Sequence, residues 1–345
     1  MRFVRVMDGD PVPRALRGGV VAIGNFDGVH RGHQAVLGHA LEEARERRVP
    51  ALVLTFEPHP RELFTGEPVP RLTSPSEKAV ILGSMGFDAV VEEPFTRELA
   101  ALDPNAFARD ILLERLGAAH VVVGHDFRYG AKRGGDARTL KAHGRFGVSV
   151  VEAEHDGQGD ERGRGHGAGS EDDTGGEGAS AIISSSRIRD ALAGGEIREA
   201  NMLLGRRWRV RGKVRHGRKV GRTIGYPTAN MVLDAPDLLA HGIYAVRCCR
   251  ANGALHDGVA SYGRRPTFDD GAPLLETFLF DFSGDLYGES IHIALFDHLR
   301  GEEKFASVEA LVAQMDRDSQ RARAVLKDAE PLSELDRVLN FEPAR

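Results

Sequence analysis

Cysteine is nearly absent from this 345-residue sequence, because Cys248 and Cys249 are its only two and they are adjacent. Adjacent cysteines exclude a disulfide framework and a CxxC metal clip. No apolar run approaches the ~20 residues of a membrane span, and the start of the chain lacks the apolar stretch of a signal peptide. A net charge of −5 offers no basic field to nucleic acid or an anionic membrane. We therefore expect a cytoplasmic protein that binds neither.

Short β-branched runs alternate with amphipathic stretches in the first part of the chain. Strands that alternate with helices predict a parallel sheet with helices on both faces. One helix start, with Ser74 at the N-cap and Glu77 three residues later, predicts a capping box. The runs that we interpret as strands are residues 19–24, 51–56, 88–93, 120–124 and 147–152. In such a sheet, ligands bind beyond the carboxyl ends of the strands.

The pattern changes after Leu204. Strand-like runs separated by Gly, Asn and Asp turns follow without intervening helices, which predicts an antiparallel β-barrel or sandwich. A terminal helix is expected from about Ser307 to Lys327, with an apolar stripe at Val308, Leu311, Val312 and Met315. The fold class is therefore α/β, with a Rossmann-like parallel-sheet domain over residues 1–204 and a β-barrel domain over 205–345.

Glycine and acidic residues dominate the segment from Glu154 to Gly178, which holds nine glycines and eight carboxylates. Such a composition cannot bury enough apolar surface to offset its ordering entropy. We therefore expect a disordered insert over about residues 155–179. An acidic interaction tail is the alternative, although the glycine content favours a solvated loop.

The first strand runs into GNFDGVHRGH, residues 24–33, and the sequence contains neither a P-loop nor a GxGxxG motif. His30 and His33 are three residues apart at a helix N-terminus, where free N–H groups and the helix dipole attract phosphate. Two imidazoles there can donate to a triphosphate and to the departing pyrophosphate. A bare HxxH pair is more often a surface or structural feature, or half of a metal site. The glycine-rich loop after a buried strand favours nucleotide binding.

The sequence resembles the HxGH nucleotidyltransferases, and more closely the bacterial bifunctional riboflavin kinase/FMN adenylyltransferase family. Nearly the whole chain takes part, through the motifs GNFDGVHRGHQ (24–34), TFEPHP (55–60), GHDFRYG (124–130), SSSRIR (184–189), GRTIGYPTAN (221–230) and RRPTF (264–268). The resemblance implies an N-terminal domain that adenylylates FMN to FAD and a C-terminal barrel that phosphorylates riboflavin to FMN. It also implies ATP as co-substrate, Mg²⁺ as cofactor, and small-molecule partners for a monomer or weak homo-oligomer.

For the adenylyltransferase site, the resemblance implies that His30 and His33 are catalytic. It also implies that the ATP and its phosphates are bound by Gly24, Asn25, Phe26, Asp27, Gly32, Ser185, Ser186 and Arg189. By itself, a serine-capped helix start such as SSSRIR is common. The family often has threonine where Ser186 stands.

The flavin of that site is expected at the ends of two strands. The implied contacts are Phe56, Pro58, Asp126, Phe127, Arg128 and Tyr129. Taken singly, aromatic residues at strand ends are more often core residues. Together they offer flat apolar faces for an isoalloxazine ring. The family often has phenylalanine where Tyr129 stands.

The kinase site is expected around the glycine-rich motif that ends in Pro-Thr-Ala-Asn, which we interpret as a tight turn. The resemblance implies that Thr228 and Asn230 present oxygen atoms to a phosphate-bound Mg²⁺, with Thr228 as the metal ligand. The other implied ATP and Mg²⁺ contacts are Gly221, Arg222, Gly225 and Pro227. For the glycines alone, an ordinary hairpin is the simpler interpretation.

Glu276 is the single acidic residue in the apolar run 274–280. Alternation with a period of two places it on one face with Leu274, Phe278 and Phe280, which predicts a position in the barrel interior or its mouth. The resemblance implies that Glu276 is the catalytic base. A solvent-facing glutamate on an edge strand is the alternative. Ser261-Tyr262 departs from the family pattern, in which many members have asparagine and a smaller apolar residue.

Two other functions differ in class from this one. An HxGH transferase with another acceptor, such as phosphopantetheine or nicotinamide mononucleotide, explains the first domain and leaves the barrel motif unexplained. A flavin-binding regulator on a retired catalytic scaffold would have lost its charged site residues. His30, His33, Thr228, Asn230 and Glu276 are all present, which argues against the regulator.

Overall fold

A computed structural model describes residues 3–7, 9–156, 181–216, 221, 224–233, 238–264 and 273–342 of the chain. The first half of the chain forms one parallel sheet. Its strands are β1 (Val4–Val6), β2 (Val20–Ile23), β3 (Ala51–Glu57), β4 (Ala89–Pro94), β5 (His120–Gly124) and β6 (Gly147–Val151), in the spatial order β1-β4-β3-β2-β5-β6. Because β2 lies between β3 and β5, the strand order reverses there. The loops after β2 and β5 therefore meet at the crevice where such sheets bind ligands.

Helices cover both faces of this sheet, as the sequence predicts. Val20 and Ala22 of β2 pack with the first long helix, whereas Val21 and Ile23 pack with the opposite layer. The helices are α1 (Arg31–Arg47), α2 (Pro60–Thr65), α3 (Pro75–Met85), α4 (Arg97–Ala101), α5 (Pro104–Ala106), α6 (Ala137–His143), α7 (Ser185–Ala193) and α8 (Ile197–Leu204), and α5 continues into a π-helix at Phe107–Arg115. Short 3-10 turns occupy Arg14–Leu16 and Ala131–Arg133. In the described part of the chain, we find no helix with the length and apolar character of a membrane span.

The second half forms an antiparallel sheet that curls into a nearly closed barrel. Its strands are β7 (Trp208–Lys213), β8 (Ala229–Val232), β9 (Gly242–Cys249), β10 (Leu255–Gly263), β11 (Leu274–Leu279) and β12 (Ser290–Arg300), in the order β7-β12-β9-β10-β11-β8. An antiparallel bridge between Arg215 and Asn230 joins the two edges. The barrel is therefore confirmed. The tight turn expected at Pro-Thr-Ala-Asn is wrong, because Ala229 and Asn230 begin β8.

The terminal helix of the barrel, α9 (Val308–Lys327), is confirmed, and its expected apolar stripe lies on the buried side, although Val308 is 57% exposed. Leu311, Val312 and Met315 are half-buried, and Asp318, Ala322 and Leu326 continue this side of the helix and are buried. Arg300 of β12 binds the buried Asp318 carboxylate at 2.7 Å. The sequence pattern could not show this, because the partner of Asp318 lies on another element.

Buried polar contacts join the two domains. The Ser74 hydroxyl caps α3 by accepting the Glu77 N–H at 3.3 Å. The other half of the capping box is wrong, because the Glu77 carboxylate pairs with Arg209 of β7 and lies 3.1 Å from the His292 Nε2 of β12. Glu77 and Arg209 are both buried, at 2% and 4% exposure. The cap residue expected to act within its own helix therefore holds the barrel onto α3.

A last helix, α10 (Glu334–Asn340), was not expected from the sequence and packs against α3 of the first domain. Ser333 caps it by accepting the Asp336 N–H at 3.1 Å. The buried Asp336 carboxylate accepts from the N–H of Arg207 at 2.8 Å and pairs with the guanidinium of that residue. The end of the chain thus returns to the junction between the domains.

Removing the charge of Glu77 tests how strongly this junction holds. Glu77→Gln leaves Arg209 buried without its counter-ion, so the free energy of unfolding should fall by about 3–5 kcal/mol in urea titrations. The double variant Glu77→Met/Arg209→Met removes both charges and should recover most of that loss. A single variant within 0.5 kcal/mol of wild type, taken as a rough threshold for surface substitutions, would contradict the assignment.

The glycine- and acid-rich insert begins later than expected. Glu154, His155 and Asp156 belong to ordered structure, because His155 bridges Ile182 and the Asp156 N–H donates to the Ala181 carbonyl at 3.2 Å. The expected start of the insert was therefore wrong. The rest of the expected disordered segment lies outside the described residues.

Since Asp156 and Ala181 already pair as neighbours, replacement of residues 157–180 by an Asn-Gly turn should close the chain without strain. Loop-closure entropy changes slowly with length. We expect FMN and FAD formation within about threefold of wild type and an unchanged melting temperature. A large loss of FAD formation in a folded variant would show that the excised segment takes part in nucleotide binding.

Candidate active sites

The loop after β2 is held in place by Asp27. This carboxylate is 5% exposed and accepts hydrogen bonds from the N–H groups of Leu72 and Thr73, at 3.2 and 3.1 Å. It also binds the guanidinium of Arg189 at 2.5 Å. Gly28 follows with φ of 85°, and a Cβ there would lie 2.8 Å from the Leu72 side chain. The loop therefore has one conformation that needs both the glycine and the carboxylate.

The two histidines of the HxGH motif lie together at the start of α1. Their rings stack with centroids 3.6 Å apart, and the His33 N–H donates to the His30 Nδ1 at 3.3 Å. Because His30 Nδ1 accepts, a neutral imidazole carries its proton on Nε2, which remains a donor. Gly32 permits the stack, since a Cβ there would lie 3.3 Å from the His30 ring.

Burial keeps both imidazoles neutral. It lowers the pKa of His30 from 6.5 to about 4, with Asp27 opposing the shift. It also lowers the pKa of His33, and the neighbouring His30 and Lys78 add to that effect. The histidines can therefore donate through N–H groups as neutral rings.

The SSSRIR helix meets this loop directly. The Ser185 hydroxyl donates to the Asp27 carbonyl at 2.9 Å, and Arg189 bonds the Asp27 carboxylate and the Pro70 carbonyl. Ser186 is exposed at the same helix start. Ser185 and Asp27 are 158 residues apart in sequence. The two motifs that contain them therefore form one site.

The aromatic residues expected to bind flavin form a cluster beyond β3 and β5. Phe127 stacks on Tyr129 at 5.6 Å, and Phe56 contacts Phe95 edge-on at 5.7 Å. Tyr129 is a core residue, 7% exposed, and its hydroxyl lies 3.2 Å from Thr139.

The polar residues of the expected flavin site lie on the surface beside this cluster. Asp126, Arg128 and Pro58 are exposed, and Arg128 pairs with Asp136 at 3.2 Å. Phe64 of α2 adds a ring with 73% exposure, and sequence reasoning did not select it. The cluster is therefore buried at Tyr129 and has a solvent-accessible rim formed by Phe64 and the exposed polar residues.

Strand register brings the kinase candidates together. Glu276 of β11 lies directly opposite Asn230 of β8 and opposite Ser261 of β10. Directly opposed residues of antiparallel strands share a face. The Asn230 amide donates to the Thr228 carbonyl at 3.3 Å, which places Thr228 at the start of the same cluster.

The expected position of Glu276 inside the barrel is wrong. Leu275 and Leu279 of β11 fill the interior, whereas Glu276 and Phe278 alternate with them and are half-buried on the outer face. That face is the one on which α9 packs. Successive residues of a strand point to opposite faces, so Glu276 faces away from Leu275 and Leu279. The sequence alone did not reveal which of the two faces of β11 is interior.

The rest of the glycine-rich motif connects this face to α9. Gly221 accepts from the Tyr226 N–H at 2.7 Å, and the Tyr226 hydroxyl donates to the Asp316 carboxylate of α9. Gly225, with φ of 86°, and Pro227 are exposed. Arg222 and residues 265–268 of the RRPTF motif lie outside the described residues.

Comparisons with known proteins match both halves of the chain. A model of the FAD synthetase family matches residues 12–163, and a model of the riboflavin kinase family matches residues 204–326. The bifunctional riboflavin kinase/FMN adenylyltransferase of Haemophilus influenzae is 37% identical over 90% of this chain and 95% of its own length. That of Escherichia coli K12 is 39% identical over 89% and 92%.

The chain belongs to the bifunctional riboflavin kinase/FMN adenylyltransferase family. It accordingly combines riboflavin kinase and FMN adenylyltransferase activities, as the sequence resemblance implies. A crystal structure described as that of a macrolide-efflux protein from Streptococcus pneumoniae is also similar, at 30% identity and a TM-score of 0.77. It covers 96% of this chain and 100% of its own chain. Transport is part of that protein's description, and the family models assign flavin synthesis to this chain.

Two polar residues that contact Asn25 were not predicted from the sequence. Lys78 of α3 is buried and donates to the Asn25 carbonyl at 2.8 Å. His59 caps α2, and its Nε2 lies 3.5 Å from the Asn25 amide nitrogen. A signal existed for His59, which stands inside the TFEPHP motif. None existed for Lys78, because a lysine in the middle of a helix is usually at the surface.

The low pKa of His30 predicts a pH dependence of stability. Unfolded His30 takes up a proton below pH 6.5, whereas the folded residue does so only near pH 4. The free energy of unfolding should therefore fall by up to about 3 kcal/mol as pH drops through that window. Urea titrations between pH 4 and 7.5 measure this slope. His30→Asn should flatten it, whereas His39→Asn, at a half-buried position of α1, should not. Equal slopes in wild type and His30→Asn would contradict the assignment.

Proposed function

We propose that adenylyl transfer takes place in the crevice between β2 and β5. The supporting observation is the junction of the GNFDG and SSSRIR motifs through Asp27, Ser185 and Arg189. A phosphate oxygen of FMN forms a bond to the α-phosphorus of ATP, and the bond from that phosphorus to the bridging oxygen breaks to release pyrophosphate. The protein contributes position and charge stabilisation to such an in-line displacement.

The roles within this site depend on which hydrogen-bond donors are not already bonded to other protein groups. His30 and His33 donate to the phosphates from the start of α1. Arg189 is already bonded to Asp27, so it positions the loop and offers its remaining N–H groups to the triphosphate. Ser186 is exposed beside it. Gly24, Asn25, Phe26 and Gly32 shape the backbone around the nucleotide.

The flavin ring is proposed to lie on the rim of the aromatic cluster. Phe56 and Phe127 are half-buried and offer ring faces, with Tyr129 behind them as support. Pro58 borders the same surface, and Asp126 and Arg128 can bind the polar edge or the ribityl chain. The crevice thus holds the FMN phosphate near the HxGH histidines.

Riboflavin phosphorylation is proposed on the outer face of the barrel beneath α9. Glu276 acts as the base that orients the ribityl hydroxyl, with Asn230 as its cross-strand neighbour. We assign the nucleotide contacts to the motif from Gly221 to Asn230. The outer face suits this chemistry because it is half-buried, open to substrate and roofed by a helix.

Magnesium fits the kinase site as a hard cation that prefers oxygen ligands. No hydrogen bond engages the Thr228 hydroxyl within the described part of the chain, and Asn230 offers an amide oxygen. The described residues include no cluster of three His, Cys, Asp or Glu side chains for a metal. A cation held mainly by ATP phosphates, with Thr228 as protein ligand, matches that donor set. When bound, it would neutralise phosphate charge.

The remaining proposals concern the whole chain. We place the domain boundary between residues 204 and 205, and we propose a cytoplasmic monomer or weak homo-oligomer whose partners are riboflavin, FMN and ATP, with no nucleic acid. Both cysteines are free thiols, which suits a reducing compartment.

Single substitutions should separate the two activities. His33→Ala removes one donor to the triphosphate, so FAD formation from FMN should fall about 10²–10³-fold while riboflavin phosphorylation persists. Glu276→Gln keeps the size of the side chain but removes its basicity. FMN formation should collapse in this variant, while supplied FMN is still adenylylated.

The assay supplies riboflavin or FMN separately to each variant, with ATP and Mg²⁺, and separates FMN from FAD by chromatography. A near-wild-type rate of FMN formation by Glu276→Gln would remove the kinase assignment. Loss of both activities in a folded His33→Ala protein would contradict the two-site arrangement.

A further inference from the structure

Lys78 is an unusual buried residue on the first domain's α3. The whole residue is 4% exposed. Its Nζ donates to the Asn25 carbonyl at 2.8 Å and to the Thr55 hydroxyl at 3.1 Å. Both acceptors are uncharged, and no carboxylate lies within ion-pair distance of Nζ in the described residues. A buried ammonium without a counter-ion is costly, so such an arrangement calls for a role.

The nearby carboxylates are each bound to an arginine. Asp27 pairs with Arg189 at 2.5 Å. Glu57 pairs with Arg71 at 2.7 Å, and Glu92 with Arg5 at 2.6 Å. Arg71 also binds Glu62 at 3.0 Å. Each of these carboxylates therefore has an arginine partner, and Lys78 lies beside imidazoles that burial keeps neutral without an ion pair of its own among the described residues.

Lys78 also fixes the direction of a peptide group in the phosphate loop. Its bond holds the Asn25 carbonyl oxygen toward α3, and the same oxygen also accepts from the Thr55 hydroxyl at 3.1 Å. In a trans peptide the following N–H, that of Phe26, points the opposite way. Phe26 adopts φ of 48°, a conformation that a non-glycine residue rarely takes. Among the described residues, the N–H groups of Asn25, Phe26 and Asp27 have no acceptor.

We propose that Lys78 is a positioning residue for the polyphosphate of ATP: it holds the phosphate loop with its N–H donors free and supplies the positive charge that the neutral histidines lack. This rests on the proposed function of the HxGH loop. The ligand chemistry is a linear polyphosphate anion.

The charges around Lys78 support this assignment. Burial lowers its pKa, and Asp27, Glu57 and Glu92 oppose that shift, with Arg71 adding to the lowering. Lys78 in turn lowers the pKa of His33. The three carboxylates thus favour the charged form of Lys78 against the effect of burial, and Lys78 disfavours a charge on the His33 imidazole.

Two substitutions separate charge from hydrogen bonding. Lys78→Met removes both, and Lys78→Gln retains a donor without the charge. Lys141→Met, at an exposed lysine of α6, is the matched control. Inorganic tripolyphosphate is the probe, measured as a competitive inhibitor against ATP in FMN adenylylation.

Both Lys78 variants should raise the inhibition constant for tripolyphosphate and the KM for ATP about 100-fold, on the scale of one lost phosphate-site donor. The KM for FMN, riboflavin phosphorylation and the melting temperature should stay within threefold or a few degrees of the control, as rough limits. A merely structural lysine would alter the KM for FMN and stability together. Unchanged tripolyphosphate inhibition in both variants would overturn the proposal.

The wild-type protein provides a test that needs no folded variant. In NMR spectra of ¹⁵N-lysine-labelled protein, the Lys78 Nζ signal should shift when tripolyphosphate is added, and the absence of a shift would overturn the proposal. His33→Ala separates the role of Lys78 from the location of the phosphate site. If it weakens tripolyphosphate binding while the Lys78 variants do not, the role of Lys78 fails alone. If none of the three weakens it, the phosphate site itself is wrongly placed.

Discussion

The buried carboxylate of Asp27 is the contact on which the arrangement of the HxGH loop depends. It gathers three separate segments: the loop after β2, the N–H groups of Leu72 and Thr73, and the guanidinium of Arg189 on α7. Its own carbonyl accepts from Ser185 of the same helix. An anion held by several donors in a buried site is stabilised far more than a surface ion pair. The histidines keep their place because the loop before them has no other arrangement that satisfies this carboxylate.

Residues at the start of the barrel domain also hold this loop through hydrogen bonds. Arg206 is fully buried and donates to the Gly28 carbonyl at 2.9 Å. Trp208 donates through its indole N–H to the Leu72 carbonyl at 2.8 Å, on the segment whose N–H groups bind Asp27. Arg206 and Trp208 therefore join the barrel to the segments around Asp27. The first residues of the barrel domain thus support the proposed adenylyltransferase site, which gives a physical reason for the two domains to remain on one chain.

Local patterns in the sequence predicted what is local in the structure. The strands with continuous apolar runs, the N-cap Ser74 and the SSSRIR helix start all depend on residues within a few positions of one another. Errors arose where the partner is distant. Glu77 was expected to complete its own cap, but a stronger partner, Arg209, lies 132 residues away. The buried Asp318 of α9 likewise pairs with Arg300 on β12, and hydrophobic periodicity carries no information about such an ion pair.

The two sites are positioned by different kinds of interaction. In the barrel, backbone register places Glu276 beside Asn230 and Ser261, although the expected face of the strand was wrong. Around the loop after β2, side-chain charges set the geometry: Asp27, Glu57 and Glu92 each pair with an arginine, and Arg71 also binds Glu62. Lys78 is buried among them and, within the described residues, bonds only uncharged acceptors. Since a local sequence pattern cannot show how charges pair across a fold, the lysine at the base of the phosphate loop becomes visible only in the structure.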